Sequence, residues 1–122
     1  MNHIWIRYAC KDTNGDFFFY YLDLNDLASI PTRLFDVERI WKIIGRDLWI
    51  GYKDKEGRDI YSNDIYAFPR HVGPSIGTIL WSEEHCRFEF NNGFLWPLSQ
   101  ALMVEGRVLG NTYQNQDLLR MK

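Results

Sequence analysis

The 122-residue chain has few of the features that mark exported or membrane proteins. Its two cysteines, Cys10 and Cys86, lie far apart, so we expect two reduced, mostly buried thiols and no disulfide framework. The N-terminus has one early basic residue, Arg7, and no long apolar core, so no export signal is expected. No stretch approaches the roughly 20 apolar residues of a membrane span, which predicts a soluble, cytoplasmic protein.

Runs of like charge are also lacking. The chain has 14 Lys and Arg residues and 16 Asp and Glu residues, which are scattered and give a net charge of −2. No segment offers a long row of bases to a phosphate backbone. The overall charge therefore argues against a large nucleic-acid interface, but it does not exclude a small local patch of basic residues.

The sequence contains none of the common catalytic motifs. It has no GxSxG, Walker A or GxGxxG sequence. His3, His71, His85 and Cys86 do not occur in pairs at the short fixed spacings of zinc ligands. A Cys–His nucleophile pair has no support either, because nothing in the sequence orients a base on a thiol. We therefore expect a non-enzymatic protein without a metal or cofactor.

Aromatic residues are plentiful, with eight Phe, seven Tyr and five Trp. Such residues favour strands, and short apolar runs alternate here with hairpin signals such as Asn14-Gly15 and Asn91-Asn92-Gly93. The chain is long enough to bury one core, which predicts a single domain over residues 1–122. The pattern predicts a mainly β fold, as a small barrel or compact antiparallel sheet with one or two short helices.

Residues 49–68 have the clearest local pattern: strand, polar hairpin loop, strand, tight turn, strand. Gly57 can adopt the positive φ that the hairpin loop needs. Asn63 is the non-glycine residue type that best tolerates the left-handed region, which suits the tight turn. The carboxylate of Asp64, directly after that turn, is expected to accept backbone N–H bonds and fix the corner. We predict structural roles for these three residues.

Further elements are predicted on both sides of this stretch. Strands are expected over residues 3–10 and 16–22, and a closing strand over residues 104–113, broken by Gly106 and Gly110. Residues 37–44 have apolar side chains at helical spacing, so we predict a helix, with a strand as the alternative because several of these residues also favour strands. A last helical turn is predicted over residues 116–121, with Asn115 at its cap.

Three motifs, in order along the chain, resemble the YopX family of bacteriophage and prophage proteins. They are GYKDKEGRDIYSNDI at residues 51–65, GTILW at residues 77–81 and VLGNTYQNQDLL at residues 108–119. Ser62-Asn63 stands where the family usually has Glu-Gly, and Gln116 stands where it has proline. Before residue 49 the resemblance is loose and depends on an opening strand that contains Trp5. The resemblance implies a small SH3-like β-barrel of phage origin, from a family whose activity is not established.

The first candidate surface lies in residues 17–21, which are five successive aromatics. Alternate residues of a strand point to opposite faces, so all five cannot enter one core. We predict that Phe17, Phe19 and Tyr21 form a protein contact or a self-association surface.

The second candidate surface is the hairpin of the central stretch. Its bases Lys53, Lys55 and Arg58 flank the aromatic residues Trp49, Tyr52 and Tyr61. Small barrels bind single-stranded nucleic acid with such aromatic platforms and local positive charge. Interleaved carboxylates neutralise these bases, however, and the aromatics also suit a core. The predicted function is therefore a binding module that contacts a host or phage protein, with homo-oligomers open; the alternative is nucleic-acid binding through residues 52–61.

Overall fold

The computed structural model describes residues 5–23, 41–69, 75–99 and 105–121. These residues form nine β-strands and one 3-10 helix, which confirms the prediction of a mainly β fold. The strands are β1 (Trp5–Lys11), β2 (Phe17–Asp23), β3 (Lys42–Lys53), β4 (Asp59–Tyr61), β5 (Asp64–Phe68), β6 (Ser75–Ser82), β7 (Arg87–Asn91), β8 (Leu95–Pro97) and β9 (Arg107–Asn111). The 3-10 helix spans Gln116–Met121.

The strands form two sheets, in the orders β2-β1-β3-β4 and β8-β7-β6-β5-β9. Within the described residues neither sheet closes on itself, so the predicted small barrel is wrong for these strands, and SH3-like character is not confirmed. Closure requires the two outermost strands of a sheet to pair. In the second sheet the outermost strand β8 has only three residues and ends in Pro97, which has no N–H to donate to a neighbouring strand.

The chain divides into two compact units, Met1–Trp49 and Ile50–Lys122. The boundary falls inside β3. That residues 1–122 form a single domain, as the length of the chain indicates, stays a prediction.

In the first unit, β1 pairs antiparallel with β2 on one side and with β3 on the other. One face of these strands buries Tyr8, Cys10 and Leu22. Partly buried apolar side chains pack against them, namely Ile6, Phe18, Tyr20, Trp41 and Ile43. The rings of Phe18 and Trp41 meet edge to face with centroids 4.9 Å apart. The five aromatics of β2 are thus divided between the two faces of the strand, because Phe18 and Tyr20 pack against this core.

The strand alternative is correct for residues 42–44, whereas residue 41 forms a bend before the strand. Residues 42–44 belong to β3, and residues 37–40 lie outside the described residues. Ile43 pairs with Cys10 of β1 and packs against the core. Cross-strand packing therefore outweighs the helical spacing of the apolar residues, since β-branched side chains suit a half-buried strand.

Two hairpin loops share one hydrogen-bonding pattern, at residues 12–16 between β1 and β2 and at residues 54–58 between β3 and β4. In each loop the first residue is an aspartate, and its Oδ1 accepts the backbone N–H groups two and four residues later. All four N···O distances are 2.9 Å. The fourth residue is a glycine with positive φ, 84° at Gly15 and 82° at Gly57. Both are three-residue hairpin loops completed by a left-handed glycine.

In the second unit, Ile60, Tyr66, Ile79 and Phe90 are buried together. Partly buried side chains surround them, namely Ile50, Tyr52, Phe68, Leu98 and Val108. The backbone passes so close to this core at Gly106 that an added Cβ would collide with the ring of Tyr66.

The loop at residues 54–58 is tied to the last strand. The second carboxylate oxygen of Asp54, Oδ2, accepts the backbone N–H of Val108 at 2.9 Å. The N–H of Lys55 donates to the carbonyl of Gly106 at 3.0 Å. Asp54 is only 5% exposed, and within the second unit its carboxylate accepts three backbone N–H groups.

The closing strand and the last helical turn are confirmed as β9 and the 3-10 helix, which lies against β6. The Asn115 side chain accepts the backbone N–H of Asn111 at 3.1 Å and so bends back toward β9. An added Cβ on Gly110 would collide with this side chain, which explains a glycine in that strand. No helix in the described part of the chain is long and apolar enough to cross a membrane.

Candidate functional site

Three consecutive large apolar side chains are exposed at the outer edge of the second sheet. They are Phe94 at 74%, Leu95 at 54% and Trp96 at 52% exposure. These three residues are called the β8 surface. Other exposed large apolar side chains in the described residues are only 38–46% exposed. The β8 surface is therefore the most exposed apolar segment that the structure describes.

The β7–β8 hairpin places these side chains. Asn91-Asn92-Gly93 connects the strands, as its hairpin signal predicts. The Gly93 N–H donates to the side-chain oxygen of Asn91 at 3.0 Å, and the Asn92 N–H donates to the carbonyl of Phe94 at 3.2 Å. Gly93 has φ 108°, a conformation that residues with a side chain rarely adopt. The chain therefore reverses within three residues and directs Phe94 into solvent.

The side chain of Asn92 holds Trp96 in place. Its Oδ1 accepts the indole N–H of Trp96 at 3.1 Å and the backbone N–H of Phe94 at 3.2 Å. Its Nδ2 donates to the hydroxyl oxygen of Ser75 at 2.8 Å. The indole of Trp96 is thus oriented while half of its surface stays open, which is a preorganised arrangement for contact.

A groove of about 380 Å³ adjoins the β8 surface. Its apolar lining includes the aromatic rings of Phe68, Phe90 and Trp96. Glu105 is the one charged residue among its described lining residues, and its side chain is exposed. The groove is large enough for an apolar side chain and presents one carboxylate beside it.

The register of β8 fixes which of its backbone groups are turned outward. The carbonyl of Phe94 accepts the N–H of Asn92 at 3.2 Å, and the N–H of Leu98 donates to the carbonyl of Phe88 in β7 at 3.3 Å. Antiparallel pairs alternate between bonded and non-bonded positions, so the odd-numbered residues Leu95 and Pro97 point their backbone groups away from β7. Leu95 presents an N–H and a carbonyl at this edge, whereas Pro97 presents only a carbonyl.

The structure brings Phe17, Phe19 and Tyr21 together on the face of β2 opposite to Phe18 and Tyr20. The ring centroids of Phe17 and Phe19 are 4.9 Å apart, and those of Phe19 and Tyr21 are 6.3 Å apart. Tyr21 is 46% exposed, whereas the two phenylalanines are half-buried. A contact role for these three residues stays a prediction.

A buried ion pair supports this row of rings. The guanidinium carbon of Arg7 lies 4.1 Å from the ring centroid of Phe19. Arg7 donates from Nε to the Oδ2 of Asp47 at 2.8 Å, and both side chains are almost fully buried. The arrangement couples a cation–π contact to a paired charge, which is how a buried arginine is tolerated.

Of the three aromatics predicted to flank the bases of the central hairpin, one is buried and two are half-buried. Tyr61 is buried at 4% exposure, so its ring is not available to a base. Tyr52 is half-buried and packs against the core. Trp49, in the first unit, is also half-buried, and its Nε1 has no hydrogen-bond partner among the described residues.

The three bases of the hairpin are exposed but not concentrated. The ammonium of Lys53 lies 3.3 Å from the Asp59 carboxylate. Arg58 donates from Nη1 to the carbonyl of Val108 at 3.4 Å. Lys55 lies in the loop, next to Glu56. Each base thus lies beside a hydrogen-bond acceptor or a carboxylate, and nucleic-acid binding here stays a prediction without a built platform.

The predicted turn residues lie in two turns, Gly57 in the loop between β3 and β4, and Asn63 and Asp64 at the corner between β4 and β5. Gly57 has φ 82°, and Asn63 has φ 69°. The Oδ2 of Asp64 accepts the backbone N–H of Tyr61 at 2.9 Å. Asn63 also donates its backbone N–H to the Ile79 carbonyl at 2.7 Å. These contacts are structural, since they connect neighbouring strands and hold the turn.

A serine, a histidine and a glutamate meet at the β6–β7 hairpin, but their geometry is not that of a catalytic triad. The Nδ1 of His85 lies 3.4 Å from the Ser82 hydroxyl and 3.3 Å from the Glu89 carboxylate. In a triad the nucleophile and the acid use different ring nitrogens. Ser82 also accepts the backbone N–H of His85 at 3.1 Å, so its hydroxyl closes the turn.

Glu89 is the buried member of this cluster, with its side chain 1% exposed. Burial by itself raises the pKa of this carboxyl. Hydrogen bonds from Arg87 and Ser82, together with the charges of Arg87 and His85, outweigh burial and lower the pKa below its usual value. Arg87 donates from Nε and Nη2 to the Oε2 of Glu89 at 3.0 and 2.9 Å. The carboxylate therefore functions as an internal anchor for the hairpin.

No group of three or more His, Cys, Asp or Glu side chains within the described residues has the arrangement of a metal site. His3 and His71 lie outside those residues. Both cysteines are free thiols. Cys10 is buried, and burial raises the pKa of its thiol, whereas Cys86 is exposed, so the expectation that both are buried is wrong for Cys86.

The β8 surface was not predicted from the sequence as a site, although a signal exists. Phe94, Leu95 and Trp96 are successive large apolar residues directly after a hairpin turn, and Pro97 ends the run. Since neighbouring residues of a strand point to opposite faces, the three cannot all enter one core. The same reasoning that singled out residues 17–21 applies here.

A model of the YopX protein family matches residues 36–120, which is most of the chain. The match contains all three resembling motifs and begins upstream of the first of them. No curated protein matches the chain significantly.

Proposed function

This chain belongs to the YopX family, and we propose that it is a non-enzymatic binding module that docks onto another protein through the β8 surface. The observation that carries the proposal is the exposure of Phe94, Leu95 and Trp96, each more than half open to solvent. Contiguous exposed apolar side chains mark contact sites, and aromatic anchors dominate their energetics. Covering them removes apolar area from water at about 25 cal/mol per Å².

The partner that best fits this edge is an extended segment of polypeptide. Leu95 presents one outward N–H and one outward carbonyl, which is what an added strand pairs with. The neighbouring groove takes an apolar side chain from such a segment, and the Glu105 carboxylate favours a basic residue next to it. Pro97 can accept a main-chain hydrogen bond but cannot donate one, so Leu95 supplies the one outward N–H of β8 and specificity must come largely from side chains.

The proposal of a binding role rather than catalysis is supported by the β6–β7 cluster. Ser82 and Glu89 both approach the same nitrogen of His85, and the Ser82 hydroxyl is engaged by a backbone N–H. In a catalytic triad the nucleophile and the acid contact different nitrogens of the histidine. The polar cluster is thus accounted for as hairpin structure.

We extend the proposal to origin and location from the family resemblance: a phage or prophage protein that acts in the bacterial cytoplasm on a host or phage protein. Phe17, Phe19 and Tyr21 are retained as a second contact surface, for another protein or for a second copy of the chain. Tyr21 is the exposed member of that row and would make the first contact.

The test is an affinity capture from bacterial lysate with the tagged full chain, its Trp96→Ala variant and its Trp81→Ala variant. Trp81 is a matched control because it is also an exposed tryptophan of the second sheet, and it contacts the ring of Phe88 edge to face rather than lining the groove. A partner that docks on the β8 surface is lost with Trp96→Ala and retained with Trp81→Ala. Equal retention by both variants would place the contact elsewhere. Circular dichroism of each variant verifies that the fold persists.

Nuclease treatment of the lysate tests the nucleic-acid alternative in the same experiment. Partners captured through DNA or RNA disappear after nuclease, and their loss with charge-removing substitutions at Lys53, Lys55 and Arg58 would favour that alternative. Phosphate contacts also make affinity fall steeply with salt concentration. We expect the protein partner to survive nuclease.

A further inference from the structure

The chain contains two Asn-Gly sequences, Asn14-Gly15 and Asn92-Gly93. An asparagine side chain can be attacked by the backbone nitrogen of the residue that follows it. Glycine offers the least steric hindrance to this attack because it has no side chain. Sequence alone therefore makes both asparagines equal candidates for spontaneous deamidation, and only their environments distinguish them.

Asn92 is held at both ends of its carboxamide. The oxygen accepts the N–H groups of Phe94 and Trp96, and the nitrogen donates to Ser75, over 2.8–3.2 Å. The side chain is half-buried. To react, its Cγ would have to turn toward the nitrogen of Gly93 and break all three hydrogen bonds.

The carboxamide of Asn14 has none of these restraints, and the one hydrogen bond that must break at this site is that from the Gly15 N–H to the Asp12 carbonyl, at 3.0 Å. Its side chain is exposed at the tip of the β1–β2 hairpin, and its carboxamide has no hydrogen-bond partner within the described residues. The loop is instead organised by Asp12, which accepts the backbone N–H groups of Asn14 and Asp16. The carboxamide is thus free to rotate while the backbone around it is held.

We propose that Asn14 is a site of spontaneous deamidation in the folded protein and that Asn92 is protected. The Gly15 nitrogen loses its proton and bonds to the Cγ of Asn14. The bond from Cγ to the carboxamide nitrogen breaks, and ammonia leaves with that proton. Water then opens the five-membered succinimide at either carbonyl, giving aspartate or isoaspartate. No oxidant or reductant takes part.

The two products should differ in their effect on the hairpin. The equivalent loop at residues 54–58 has the same hydrogen bonds and carries an acid, Glu56, at the position of Asn14. Aspartate at position 14 is therefore compatible with the loop. Isoaspartate lengthens the backbone by one carbon and must disturb the bond from the Gly15 N–H to the Asp12 carbonyl, now 3.0 Å.

The test is peptide mapping by mass spectrometry after incubating the full chain at mildly alkaline pH. We expect Asn14 to convert at least about tenfold faster than Asn92, since three hydrogen bonds must break before Asn92 can react. Fragmentation that separates aspartate from isoaspartate identifies both products at position 14. Equal rates at the two asparagines in the folded chain, or conversion of Asn92 alone, would overturn the proposal.

Urea-unfolded protein is the matched control. Unfolding removes the contacts of Asn92 and leaves the Asn-Gly chemistry, so the two rates should become similar. A difference that persists in urea would show that local sequence, and not the fold, protects Asn92, and would also refute the inference. The Asn14→Asp variant should keep the thermal stability of the parent chain, whereas the isolated isoaspartate form should melt at a lower temperature.

Discussion

Replacing Asp54 with alanine should destabilise the protein more than the same change at Asp12. Both aspartates accept two backbone N–H groups within a hairpin loop of the same geometry. Each such bond contributes about 0.5–1.5 kcal/mol net, which gives about 1–3 kcal/mol for either loop. Asp54 alone also accepts the N–H of half-buried Val108. Leaving that donor unsatisfied adds about 1–3 kcal/mol.

The expected losses in the free energy of unfolding are therefore about 2–6 kcal/mol for Asp54→Ala and about 1–3 kcal/mol for Asp12→Ala. Urea unfolding followed by circular dichroism measures both. Asp54→Asn keeps one acceptor oxygen and should fall between the parent chain and Asp54→Ala. The reasoning is refuted if Asp54→Ala costs no more than Asp12→Ala, because the bond to Val108 would then contribute nothing.

Two further perturbations test other parts of the structure. Glu89 has a lowered pKa in the folded chain, so the stability it contributes is present above the unfolded pKa of about 4.3 and is lost as pH falls through the lower folded value. Glu89→Gln should accordingly flatten the loss of stability in acid, measured as melting temperature from pH 7 down to about 2; an unchanged acid profile would contradict the assigned role of the carboxylate. Gly106→Ala would drive a methyl group into the ring of Tyr66 and should cost about 1–3 kcal/mol in urea unfolding, whereas an unaffected midpoint would show that the backbone can move away from the ring.

Local turn chemistry was the most predictable part of the fold. The residues that set each turn lie within five positions of one another, so sequence spacing suffices to identify them. Gly57 and Asn63 both adopt the positive φ that their turns require. The shared Asp-x-x-Gly pattern of residues 12–15 and 54–57 was present in the sequence as well, and it marks two loops of one type.

The arrangement of strands into sheets was less predictable, because it depends on pairings between distant residues. The barrel was predicted because many short strands are typical of sheets that close on themselves. In the second sheet the outermost strands β8 and β9 do not pair with each other, and β8 has only three residues. Residues 42–44 show the same limit, since helical spacing and strand propensity conflict there and the partner strand β1 decides.

The candidate site shows why residue type alone does not locate a binding surface. Lys53, Lys55, Arg58 and their neighbouring aromatics met the sequence criteria for a nucleic-acid platform, yet Tyr61 is buried by packing. Trp96, in contrast, is held half open by Asn92, four residues away, through a side-chain contact that no spacing rule specifies. Exposure is a property of the folded chain, so it separates the two surfaces only once the structure is known.

Hydrogen exchange of the chain, alone and bound to its captured partner, tests the docking proposal most directly. The Leu95 N–H points away from β7 and should exchange rapidly in the free protein. Binding of an extended segment at this edge predicts strong slowing at Leu95, with smaller changes at Phe94 and Trp96. Slowing confined to residues 17–21, with Leu95 unchanged, would contradict the account and assign the contact to the first unit.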